Sequence, residues 1–222
     1  MRTETLGTGY FVHRDQAIEL LDNGRPLLVP TDTVWGLAVK VDRQSDPDLI
    51  FQLKRRDPEK AIPWLVGDLD DLERYCQGLP AWAHALAKRF WPGALTLVCP
   101  ASDAAPPRFV ADDGSLALRM PKQNDTLGLL RQLGAPLATS SANRQGEAPA
   151  HDLEDLDASL IAEVGAVLET AAAFSPQYLA AEAAAKDLPS TIVSCLGERP
   201  LIVRVGSLAP SLVLGCVGEI LG

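Results

Sequence analysis

Short apolar runs alternate along this chain with longer stretches in which apolar side chains recur every three or four positions. That alternation is what most constrains the fold. PLLVP at 26–30, VWGLAVK at 34–40, IPWLVG at 62–67, LTLVCP at 95–100, SLALRM at 115–120, STIVSC at 190–195 and PLIVRV at 200–205 are too short for core helices. Bounded by Pro, Gly and polar turns, they read as buried strands. Between them the spacing predicts helices over 14–23, closed by Gly24, and over 46–56, 68–77, 81–90, 123–133 and 152–163. The stretch from Glu169 to Leu188 is rich in Ala, which favours helix, with Ser175-Pro176 as a start signal. The last ten residues or so are ambiguous. With no repeat and no linker, the pattern gives one mixed α/β domain over residues 1–222.

Charge narrows the partners. The 20 basic and 29 acidic residues leave a net charge of −9, whereas tight nucleic-acid binding needs a broad basic surface that neutralises phosphates. Any positive patch here must be local, as in a pocket for a small anion, with at most weak contact to tRNA or other RNA. Cys76, Cys99, Cys195 and Cys216 form no C-x-x-C pair and read as reduced core thiols. His13, His84 and His151 match no zinc spacing. The start, MRTETLGTGYFVHRD, lacks the apolar stretch of a signal peptide, and no run approaches the ~20 apolar residues that span a bilayer. A cytosolic protein with no membrane partner is expected.

The commonest catalytic motifs are missing: no G-x-x-x-x-G-K-[ST] loop, no complete dinucleotide fingerprint around Gly7 and Gly9, no G-x-S-x-G elbow and no H-E-x-x-H. Four other clusters carry chemistry-bearing side chains. Pro30-Thr31-Asp32-Thr33-Val34-Trp35-Gly36-Leu37 joins two apolar runs and reads either as a ligand-binding loop or as a plain turn. In Lys54-Arg55-Arg56-Asp57-Pro58-Glu59-Lys60, the cations Lys54, Arg56 and Lys60 could converge on phosphate or merely close a helix on its negative end. Thr139-Ser140-Ser141-Ala142-Asn143 ends a strand in hydroxyl and amide donors suited to an anion, or to capping. Ser190-Thr191-Ile192-Val193 precedes Arg204-Val205-Gly206, and both Arg204 and Arg119 end apolar runs where a guanidinium needs a partner or a ligand.

Taken together these clusters resemble the YrdC-type threonylcarbamoyl-AMP synthase family over roughly residues 14–208. The match comprises Pro-Thr-Asp-Thr-Val-aromatic-Gly-Leu, Lys-x-Arg twenty residues on, and Phe90-Trp91-Pro92-Gly93-Ala94-Leu95-Thr96-Leu97. It continues through Leu118-Arg119-Met120-Pro121, Ser141-Ala142-Asn143, Ser190-Thr191-Ile192-Val193 and Arg204-Val205-Gly206. The resemblance implies a twisted mixed open α/β sheet flanked by helices, with a concave, locally positive ligand cavity. It implies a nucleotidyltransferase that makes threonylcarbamoyl-AMP and pyrophosphate from L-threonine, bicarbonate and ATP with Mg2+, and no prosthetic group. Downstream threonylcarbamoyl-transfer proteins then carry the group to tRNA. The short form is implied, without the extra C-terminal domain of some members.

Carried over by position, Thr33, Trp35, Arg119, Thr139 and Ser190 correspond to threonine contacts. Lys54, Arg56, Lys60, Ser115, Ser141, Asn143 and Arg204 correspond to ATP contacts, with Lys54 and Arg56 as the catalytic cations and no metal ligand from protein side chains. The chain departs from the family pattern at Trp35, in place of a tyrosine, at Asp57 and Ala61, in place of prolines, and in the Ala-rich 170–187 stretch. Three rival readings are a diverged paralogue without the activity, an RNA-binding module, and the carbamoyl-transfer module of a hydrogenase-maturation protein. The net charge opposes the second, and the lack of zinc-finger cysteines opposes the third.

Overall fold

The computed structural model describes residues 8–55, 62–170 and 188–221. Their ten strands form one sheet: β1 (Phe11–Val12), β2 (Leu27–Val29), β3 (Gly36–Lys40), β4 (Trp64–Leu65), β5 (Leu95–Pro100), β6 (Ser115–Arg119), β7 (Leu137–Ser141), β8 (Val167–Leu168), β9 (Thr191–Ser194) and β10 (Leu201–Arg204). The order across the sheet is β1-β8-β2-β3-β7-β4-β6-β5-β9-β10. Parallel pairs (β1 with β8, β8 with β2, β4 with β6, β5 with β9) mix with antiparallel ones, which makes this the expected mixed open sheet.

Seven helices accompany the strands among the described residues: α1 (Arg14–Asp22), α2 (Asp48–Lys54), α3 (Asp70–Tyr75), α4 (Ala81–Phe90), α5 (Asn124–Leu133), α6 (Ala158–Val164) and α7 (Pro210–Leu221). Successive side chains on a strand face opposite ways, and the core divides accordingly. Leu27, Val29, Ala38, Leu65 and Leu137 pack with Ala17 and Leu21 of α1 and Leu129 and Leu130 of α5. Leu28, Leu37, Val39 and Trp64 face a larger cluster with Ile50, Trp82, Leu86, Ile161 and Val213 of α2, α4, α6 and α7. None of these helices is long and apolar enough to cross a membrane.

Several sequence expectations need adjusting. The helix expected over 152–163 divides into a 3-10 turn (Leu153–Asp155) and α6, because Leu156 is extended and Asp157 restarts the helix by accepting the Ser159 N–H. The run at 62–67 contributes only two paired residues. The ambiguous C-terminal residues, up to Leu221, belong to α7, while Val167–Leu168 supplies a strand that no apolar run announced. The Ala-rich helix, for positions 171–187, lies outside the described residues. Cys76, Cys99 and Cys195 are buried free thiols as expected, and Cys216 is half-buried.

Candidate functional site

The sheet register collects the polar side chains at one end. Gly36 pairs with Ser141, Leu65 with Arg119, Thr96 with Ile192, and Ile192 with Arg204. Strand ends from β3 to β10 therefore meet around a cavity of about 580 Å³. Gly36 permits this pairing, since a Cβ there would collide with the Thr139 methyl group on β7.

One wall is the turn from Thr31 to Val34. The Thr31 hydroxyl accepts the N–H groups of Thr33 and Val34 at 3.1 and 3.2 Å and donates to Val34 O at 2.6 Å, so Thr31 builds the turn. That leaves Asp32 and Thr33 for Arg119, which is 6% exposed. Its Nη2 reaches Asp32 Oδ1 at 2.6 Å, its Nη1 reaches Thr33 Oγ1 at 2.8 Å, and its Nε reaches Gly93 O at 3.0 Å. Burial pushes the Arg119 guanidinium below its ordinary range, and the Asp32 carboxylate opposes that shift.

The facing wall is the end of α2. Lys54, 3% exposed, directs its ammonium at Ser141 O, at Asn143 O (2.8 Å), and at Ser141 Oγ and Asn143 Oδ1 (both 3.3 Å). It thereby fixes the loop after β7 while bringing its charge to the cavity. Arg144 clamps the same loop from outside. Its guanidinium bonds Leu53 O, Ser159 Oγ at 3.1 Å, and both carboxylate oxygens of Glu163 at 2.6 and 3.1 Å, joining α2 to α6. The hydrogen bond to Glu163 holds Arg144 above its ordinary range and Glu163 below its own.

The third wall comes from β5, β9 and β10. Thr96 and Ser190 share a hydrogen bond at 2.8 Å. Arg204 donates Nε and Nη2 to Ser190 O at 3.1 and 2.8 Å, and Nη2 also reaches Ser190 Oγ at 3.1 Å. Burial first, and then the charge of Arg119, pull the Arg204 guanidinium down. Both guanidinium groups line the cavity, which suits an anion placed between them.

Of the residues singled out from sequence, Thr33, Trp35, Lys54, Arg119, Thr139, Ser141, Ser190 and Arg204 line the cavity. Asn143 stands behind it, with Nδ2 donating to Glu147 O at 2.7 Å. Ser115 is not brought to the cavity: it opens β6 at the end opposite Arg119 and bonds Asp113 Oδ1 at 2.6 Å. Arg56 and Lys60 lie outside the described residues, as do Asp57 and Ala61. Sequence reasoning assigned no role to Arg144 or His151, and placed Asp32 in the Pro30–Leu37 loop without pairing it with Arg119. Only Asp32 carried a signal, as a carboxylate one residue from Thr33 in a chain whose Arg119 needed a partner.

The Sua5/YciO/YrdC family, described as "Telomere recombination", matches residues 19–206. The threonylcarbamoyl-AMP synthase of Bacillus subtilis (strain 168) is 30% identical over 206 residues, covering 92% of this chain and 56% of that protein. The synthase of the same name from Chromohalobacter salexigens is 36% identical over 143 residues, covering 64% of this chain and 77% of the other. The crystal structure of Pyrococcus abyssi Sua5 complexed with L-threonine superposes with a TM-score of 0.78 at 25% identity, over 95% of this chain and 61% of that one. This chain thus spans little more than half the length of the Bacillus and Pyrococcus proteins.

Proposed function

Because the chain belongs to the Sua5/YciO/YrdC family, we propose that it is an L-threonylcarbamoyladenylate synthase, a nucleotidyltransferase that joins L-threonine, bicarbonate and ATP. The observation that carries this reading is the cavity with Lys54 on one wall and the Arg119–Arg204 pair on the others. The Thr33–Arg119 wall offers a hydroxyl and a guanidinium to the threonine carboxylate, beside the aromatic face of Trp35. Lys54 and Arg204, with Ser141, offer charge and hydroxyl to the triphosphate, and Arg56 and Lys60 are proposed to join them. Ser115 has no part in this reading.

The chemistry asks for positioning and charge more than for a nucleophile. Threonine's amine takes up bicarbonate, and the resulting N-carboxylate attacks the α-phosphorus and expels pyrophosphate. Negative charge accumulates on phosphoryl oxygens, which fixed cations in a half-closed cavity stabilise. Lys54 serves this with its charge held in place by carbonyl oxygens, so it loses little freedom when ATP arrives. Among the described residues no three His, Cys, Asp or Glu side chains form a metal-binding group; magnesium would enter on the triphosphate's own oxygens. The product would then pass to separate threonylcarbamoyl-transfer proteins, with at most weak contact between this chain and tRNA.

Pyrophosphate release from ATP, magnesium, bicarbonate and L-threonine tests the reading, each substrate being omitted in turn. Release should require both threonine and bicarbonate, and Lys54→Ala should slow it on the order of 10²–10³-fold. ATP binding without threonine-dependent release would instead mark a diverged paralogue.

A further inference from the structure

We infer that His151 is the proton acceptor that readies the amine of the amino-acid substrate, an inference that rests on the synthase reading above. At neutral pH the amine arrives as an ammonium, and it cannot form an N–C bond until one proton leaves. The ammonium gives that proton to imidazole, and the freed lone pair attacks the bicarbonate carbon. As the N–C bond forms, the C–OH bond breaks, and the hydroxyl departs as water with a second N–H proton. The sum is ammonium, neutral imidazole and bicarbonate going to N-carboxylate, imidazolium and water, with no other reagent.

The cavity wall singles out the acceptor. Among the described lining residues the titratable side chains are Lys54, Arg119, Arg204 and His151, and no carboxylate lines the space. The first three are cationic donors. Of the nearby acids, Asp32 is engaged by Arg119, and Asp155, on the turn that carries His151, accepts the backbone N–H groups of His151 and Asp152 at 3.2 and 3.0 Å. His151 is also held in a defined orientation. Trp35 N–H donates to Ala150 O at 2.8 Å, stitching this segment to the start of β3. His151 Nδ1 lies 3.3 Å from Thr33 O. A carbonyl oxygen only accepts, so Nδ1 carries the hydrogen and the neutral ring keeps its lone pair on Nε2. That base stands beside Thr33, whose hydroxyl already receives Arg119.

The test compares wild type with His151→Gln, whose amide can still donate to Thr33 O but cannot accept a proton, and with His151→Asn as a second variant. Calorimetric ATP affinity and melting temperature establish that each is folded. Pyrophosphate release is then followed across pH. At neutral pH both variants should lose on the order of 10²-fold in kcat, with little change in KM for ATP. The deficit should shrink as pH rises and threonine's ammonium loses its proton unaided, and the acid limb of the wild-type kcat/KM profile should vanish. A folded variant with wild-type rate and pH profile overturns the role of His151 and leaves the synthase reading standing. Wild-type protein that releases no pyrophosphate overturns both.

Discussion

Gly206 closes the short Arg-x-Gly sequence because no larger residue fits there. A Cβ at this position would stand 2.5 Å from the Ser190 carbonyl carbon and 2.6 Å from its oxygen, and closer still to Pro189 O. Ordinary contact begins near ~3.5 Å, so Gly206→Ala must push the facing backbone segments away from each other by about 1 Å. The neighbours are main chain and cannot swing aside. Overpacking of this kind costs about 1–3 kcal/mol. It also stretches two hydrogen bonds that clasp the segments, Gly206 N–H to Thr191 Oγ1 and Ser207 N–H to Pro189 O, both 2.9 Å, each worth about 1 kcal/mol. A loss of about 3 kcal/mol lowers the melting temperature of a chain this size by about 6–12 °C. Ser190 O also anchors Arg204, so KM should rise even well below the melting transition. Gly215→Ala is the control: it sits on the exposed side of α7 with nothing within 4 Å of an added Cβ, and should gain about 0.5–1 kcal/mol. Thermal melts of both variants decide the matter. A Gly206→Ala protein that melts with wild type would refute the claim that close backbone approach, and not chance, places glycine there.

Two further substitutions probe the charges around the cavity. Asp32→Asn removes the carboxylate facing buried Arg119, and breaking such a pair costs about 3 kcal/mol; chemical denaturation should show it, and Arg119→Met in the same background should recover some of the loss. The Glu163 carboxyl is held below its ordinary range chiefly by its hydrogen bond to Arg144, so its contribution is present above the ordinary carboxylate pKa and disappears as pH falls through the lowered folded value. Melting temperature followed from about pH 7 into the acid range should therefore fall less steeply for Glu163→Gln than for wild type.

Sequence legibility followed how local each cause was. The bounds of α4 and β5 emerged as Ala81–Phe90 and Leu95–Pro100 because a full amphipathic face and an uninterrupted apolar run each declare themselves within a few turns or strand repeats. β1 and β8 are two residues each, and exist because Phe11 and Val12 lie against Val167 and Leu168; no run of that length has a pattern to read. In the site, Lys54, Arg119 and Arg204 were visible as charges ending helical or apolar stretches, where burial without a partner is costly. What they bind was not, because Arg119 meets Thr33 across 86 residues and Lys54 meets Ser141 across 87. Ser115 shows the converse. It stands on the same strand as Arg119, but at the far end of it, and its hydroxyl donates to the Asp113 carboxylate there. His151 fails the zinc-spacing test, but that test looks only at neighbours in sequence. Its place beside Thr33 depends on the contact between Trp35 and Ala150, two residues far apart in the chain. The chemistry of this cavity is thus a property of register: the chain supplies the side chains, and the strand pairing decides which of them meet.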